Sequence, residues 1–119
     1  MAHELAHTVL RHRVRLDAAQ VSRGALAGFG RNGRLIRQTE DEADQLSVVL
    51  LYNAGYDPNA AFRFWIKPRV PDGGLFRDRT HRSATARAER IRAAISAIPQ
   101  GAARPVLPAM LASRDQPLR

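Results

Sequence analysis

The chain has 119 residues, with 18 arginines and one lysine against 11 acidic residues, for a formal net charge of +8. That length fits one small domain with a real core, and the absence of cysteine excludes disulfides and thiolate metal sites. No apolar run approaches the ~20 residues of a membrane span, and no segment has the pattern of a signal peptide. Any metal must therefore sit on His, Asp or Glu. The arginines are dispersed from Arg11 to Arg119 among only seven aromatic residues, so no stacking platform for nucleic acid is expected. The charge reads as a solvated surface. A cationic module binding nucleic acid or anionic lipid is the competing reading, with salt-dependent affinity as its signature.

From His3 to about Gln20 there is no Gly or Pro, and the apolar positions Leu5, Val9 and Leu16 recur at helical spacing. His3, His7, Leu10 and Val14 line a second face of the same expected helix, which is thus expected to be buried between neighbours. Residues 22–34 hold four glycines and predict a flexible connection or a bent helix. The next helix is expected from about Leu35 to Ala54, with Gly55 in the left-handed position that closes it. Asp57 and Pro58 read as N-cap and first helical residue of a short helix carrying Phe62 and Trp65. Lys67 to Arg79 reads as a loop. A last helix from about Ser83 to Ile98 places Ala88, Ile91, Ala94, Ile95 and Ile98 along one stripe, and Pro99 ends it. Residues 99–119, with Pro105, Pro108 and Pro117, read as an irregular or disordered tail following a domain of residues 1–98.

His3-Glu4-Leu5-Ala6-His7 is the HExxH pattern, in which two histidines four apart on one helix face can chelate a single zinc ion. Glu4 is offset by about 100° around the helix. It can therefore reach a water beside the metal without being a ligand, as a general base must. A catalytic tetrahedral site needs a third protein ligand and keeps its fourth position open. Glu40, Ala43, Asp44, Ser47 and Leu51 share one face of the next helix, where Ala43 and Ser47 are small enough to admit close approach of the first. On that face Glu40 is the third-ligand candidate, and Asp44 can accept a hydrogen bond from the far nitrogen of a ligand histidine and fix its tautomer. The competing reading makes Thr39-Glu40-Asp41-Glu42 a capping box, which accounts for Glu42 but not for Asp44. His12, five positions after His7, falls off the ligand face of a continuous helix and reads as structural.

Three ordered blocks, HELAHTVLRH, EDEADQLSVVLLYNAGYDPNAAFRFW and THRSATARAERI, resemble metallopeptidase family forty-eight, the group of HtpX-like membrane proteases, CAAX prenyl proteases and periplasmic quality-control peptidases. The resemblance spans about residues 2 to 95. It implies that Glu40, four residues before Asp44, is the third ligand, in agreement with the face argument. Its third block usually reads Thr-His-Pro-Ser; here Thr80 and His81 match, Arg82 replaces the proline, and Arg90-Ile91 lies nine residues after the histidine. By this likeness His81 is a candidate fourth ligand or oxyanion stabiliser, beside the plainer reading of a helix-entry histidine. The interval from His7 to Glu40 is short, so helices often inserted there in such proteins are expected to be reduced or absent.

The expectation is an all-α, gluzincin-like fragment with the HExxH helix packed on the third-ligand helix. His3, His7 and Glu40 would hold one Zn²⁺, and Glu4 would deprotonate the water that attacks a peptide carbonyl. A polypeptide is the implied substrate, misfolded protein among the candidates, with no specific nucleic acid partner; the resemblance implies the cell envelope or periplasm. Because His3 stands two positions after Met1, the chain reads as a truncated product, a mis-assigned start or an excised fragment. Related zincins bind extended substrate through an upstream strand, and any membrane attachment would likewise lie upstream. A zinc-binding fragment without proteolysis is therefore the second reading.

Overall fold

The computed structural model describes residues 2–21, 30–66 and 84–119, and every regular element among them is a helix. In chain order these are α1 (Ala2–Val9), α2 (His12–Ala18), α3 (Gly30–Asn53), α4 (Asn59–Ile66) and α5 (Ala84–Ala97), with a 3-10 turn at Ala109–Ser113. The fold is all-α, as the periodicity indicated. No described helix is long and apolar enough to cross a membrane.

The single helix expected from His3 to Gln20 is instead two. Leu10 closes the last turn of α1 on the Ala6 carbonyl, and Arg11 then adopts a left-handed conformation (φ 55°, ψ 37°) before α2 begins. A non-glycine residue there costs about 1–2 kcal/mol. What the break achieves is visible in burial: Leu10 is 0% and His12 2% exposed, although two residues apart on a continuous helix lie about 200° around from each other. Leu5 and Val14, placed on buried faces by the periodicity, are exposed. α2 ends in a Schellman motif, with Gln20 at φ 56°, Val21 N–H bonded to the Leu16 carbonyl and Gln20 N–H to that of Asp17. Val21 then packs over Leu16 in a cluster with Leu35 and Leu118.

α3 is the central element, 24 residues long and so about 36 Å at 1.5 Å per residue. It starts at Gly30, earlier than the expected Leu35, so residues 30–34 are helical; residues 22–29 lie outside the described residues. Thr39 to Glu42 are therefore mid-helix, and the capping-box reading falls. α1 lies along α3, with Ala6 and Ala43 both fully buried in the cluster completed by Leu10, Leu46 and Val49. Two alanines at the crossing let the backbones approach as the sequence suggested. α3 ends as expected: Gly55 has φ 84°, and the Gly55 and Tyr56 amides return to the Tyr52 and Leu51 carbonyls.

Asp57 caps α4 by accepting from the Asn59 amide at 2.9 Å. α5 packs on α3 and α4, with Ala88 and Ile91 buried and Ala94, Ile95 and Ile98 half-buried. Residues 99–119 are irregular apart from the 3-10 turn, yet they are docked on the helices. Val106, Met110 and Leu111 pack against the Ala6–Ala43 cluster, Asn53 pairs with both backbone groups of Val106, and Leu118 is 7% exposed. The irregular segment expected after residue 98 is thus packed on the core of the helices.

Candidate metal centre

His3 and His7 stand one turn apart on α1, their rings edge to face with centroids 4.6 Å apart. Their Nε2 atoms approach to 2.9 Å. Glu40, projecting from the middle of α3, completes the cluster, with Oε2 3.3 Å from His3 Nε2 and Oε1 3.1 Å from His7 Nε2. Three elements of the sequence pattern thus meet at one point. Glu42, two residues further round the helix, does not join them.

The tautomers that the two neutral rings would adopt follow from their far nitrogens. His3 Nδ1 lies 2.9 Å from Asp44 Oδ1, so its proton is donated there and Nε2 carries the lone pair. Around His7 the argument takes one more step. His12 Nε2 donates to Glu42 Oε2 at 2.8 Å, which leaves His12 Nδ1 as an acceptor for the His7 Nδ1 proton, also at 2.8 Å. His7 Nε2 is then likewise a lone pair. With both rings neutral, two imidazole lone pairs and a carboxylate face one another, and such a set is stabilised by a cation, either a metal ion or a proton. Edges of a tetrahedron with metal–nitrogen bonds of about 2.0–2.1 Å are about 3.3 Å long. The separations here, 2.9 to 3.3 Å, match that frame after a small outward adjustment, so the residues fit a zinc ion.

The electrostatics run the same way. Three carboxylates (Glu40, Glu42, Asp44) face two guanidiniums (Arg15, Arg87) around the cluster, leaving local negative charge in a chain of net charge +8. For His3, burial disfavours the imidazolium, but hydrogen bonds to Asp44 and Glu40 outweigh it and raise its pKa from 6.5 to about 9. Glu40 is held well below the usual carboxylate range: burial pushes its pKa up, and the adjoining His3 and His7 rings more than offset that. Without a metal, a proton on His3 takes the cation's place. Burial lowers the pKa of His12 despite its bond to Glu42, in keeping with the neutral tautomer deduced above. Glu42, opposed by burial and favoured by His12 and Gln38, then by the Arg15 charge, falls to about 2.

Asp44 takes the expected place behind His3, and a residue the sequence reading passed over holds it there. Arg87 on α5 grips its carboxylate with two bonds, Nε to Oδ2 at 2.9 Å and Nη2 to Oδ1 at 2.7 Å, and the same Nη2 lies 3.6 Å from Glu40 Oε2. Arg87 sits four residues before Ile91 on the buried stripe of α5, and a charge there needs a buried partner. That was the available signal. Arg90, singled out by the resemblance, pairs with Asp41 at 3.3 Å instead. His12 gave no such signal, because the reading that set it aside assumed an unbroken helix. Glu4 is exposed on α1. Thr80, His81 and Arg82, with the loop from Lys67 to Arg79, lie outside the described residues.

No family model, no curated protein and no solved structure matches the chain.

Proposed function

We propose that this protein is a zinc-dependent metallopeptidase of the helical zincin type, akin to metallopeptidase family forty-eight, acting on unfolded polypeptide. The observation that carries this reading is the convergence of His3 Nε2, His7 Nε2 and the Glu40 carboxylate, with both far imidazole nitrogens fixed by partners. Two imidazoles and a carboxylate are a donor set suited to zinc with an open coordination position. When bound, zinc would polarise a carbonyl and acidify a water at that position.

The remaining work falls to the chain. His3 and His7 keep their lone pairs inward because Asp44 and His12 accept their other protons. Arg87 keeps Asp44 ionised through paired, charge-assisted bonds. Glu4, next to His3 but not part of the converging set, takes the proton of the attacking water and returns it to the departing amine.

The reading is tested by metal analysis and proteolysis on the same preparations. About one zinc per chain is expected after chelator-free purification, lost in Glu40→Gln and retained in Glu42→Gln. Cleavage of an unfolded polypeptide is expected to vanish in Glu4→Gln while zinc content stays. Zinc retained in Glu40→Gln, or full cleavage by Glu4→Gln, would contradict it. Stoichiometric zinc with no cleavage by the wild-type chain would establish the metal-binding, non-hydrolytic reading instead.

A further inference from the structure

A groove of about 400 Å³ lies between α2 and residues 114–118, with Arg31 of α3 also in its lining. His3, His7 and Glu40 take no part in it. The irregular segment forms a wall because two contacts hold it in place: Arg15 Nε donates to the Gln116 carbonyl at 2.8 Å, and Leu118 is buried with Val21 and Leu35. Four guanidiniums line the groove, those of Arg11, Arg15, Arg31 and Arg114, against the single carboxylate of Asp115. Arg11 is paired with Asp115. The other three keep donors unspent. Arg15, only 5% exposed, uses Nε on Gln116 and Nη1 on Glu42 and the Leu10 carbonyl, which leaves Nη2. Its one carboxylate partner, Glu42, is shared with His12. Arg31 uses Nη1 alone, on the Ala19 carbonyl at 3.1 Å. The Arg114 side chain has no hydrogen bond or ion pair among the described residues.

Positive charge gathered in a cleft attracts an anion more strongly than the same charge spread over a convex surface. A carboxylate is satisfied by one guanidinium fork, whereas a phosphate monoester brings nearly two charges and three acceptor oxygens. Three guanidiniums with spare donors match the phosphate. The rest of the lining is carbon from Val14, Ala18, Ala19, Pro117 and Leu118, a surface against which an apolar body gains by leaving water. We propose that this groove binds a small organic phosphate monoester, its head on Arg15, Arg31 and Arg114 and its apolar body along Val14, Ala18 and Leu118. The site is independent of the metallopeptidase reading, because none of its residues belongs to the metal cluster.

The 119-residue chain is titrated calorimetrically at low ionic strength with phenyl phosphate and with inorganic phosphate. The titrations are repeated with the double variant Arg31→Gln/Arg114→Gln and with Arg13→Gln, which removes an exposed charge from the same helix outside the groove. Phenyl phosphate is expected to bind at one saturable site, weakened by about tenfold or more in the double variant and by less than about twofold in Arg13→Gln, where only general attraction is lost. Inorganic phosphate, with no body to bury, should bind about tenfold more weakly than phenyl phosphate. Absence of saturable binding overturns the proposal, as does equal weakening in Arg13→Gln and the double variant, which would reduce the effect to net charge. Binding indifferent to both variants would place the phosphate elsewhere, on a metal for instance, and overturns it too. Equal affinity for the two probes removes the apolar half of the site. A sedimentation arm with phosphatidylcholine vesicles containing phosphatidic acid separates the sources of the phosphate: vesicle binding lost in the double variant, with phenyl phosphate unbound, would assign the arginines to a membrane surface and overturn the small-molecule site.

Discussion

His12 Nδ1 lies 2.8 Å from His7 Nδ1 and owes that position to the left-handed Arg11 between their helices. The contact makes His12 the acceptor that turns Nε2 of His7 towards His3 and Glu40, and Glu42 in turn settles the tautomer of His12. Partners of this kind typically change metal affinity by about 10- to 100-fold when removed. His12→Ala is therefore expected to keep one zinc per chain but to bind it more weakly by that factor, in competition with a chromophoric chelator. Unchanged affinity would mean that His7 is oriented by its packing alone.

Arg87 and Asp44 are expected to be strongly coupled. Their side chains are 6% and 2% exposed, and breaking a buried pair leaves an uncompensated charge costing about 3–5 kcal/mol. Arg87→Met should lower the urea midpoint severely, whereas adding Asp44→Asn to it should recover part of the loss. Additive effects in that double-mutant cycle would contradict the pairing.

Metal and proton should compete for His3. Its pKa is raised from 6.5 to about 9 in the folded metal-free chain. A raised pKa means that the native state binds the proton more tightly than the unfolded state. The associated stability is complete below about pH 6.5 and is lost as pH climbs through about 9. Zinc has no such proton to displace at high pH, so the rise in melting temperature on adding zinc should be larger at pH 9 than at pH 6. Thermal scans with zinc and with chelator at both values measure this, and an equal rise at both would contradict the His3 assignment.

Residues 99–119 should contribute to global stability. Leu118 is 7% exposed and sits with Val21 and Leu35 between the end of α2 and the start of α3. Leu118→Ala is expected to cost about 2 kcal/mol, the lower end for a buried leucine. A change within error in denaturant titration would show the segment to be loosely held.

Much of this was legible in the residues because the signals were local. Gly55 and Asp57 mark helix ends by their own backbone and side-chain chemistry, and the alanine at position 43 marks a close crossing by its size. Glu40 and Asp44 were found because one face of one helix carried both. The break at Arg11 was not legible: no glycine or proline marks it, and its cause is the burial of Leu10 and His12 against another helix. Nor was the docking of residues 99–119, where Asn53 and Arg15 bind backbone groups of Val106 and Gln116. Backbone partners leave no residue pattern to read. Arg87 stood between these cases, visible as a charge on an apolar stripe but without a partner until α3 and α5 are brought together.

Asp44 is shared between two neighbours of α3: its carboxylate lies on His3 Nδ1 of α1 and on the guanidinium of Arg87 of α5. One side chain thus ties together helices that stand on either side of it. A displacement of α5 would be felt as a turn of the His3 ring, so an event at α5 would alter how His3, His7 and Glu40 hold an ion without touching any of the three.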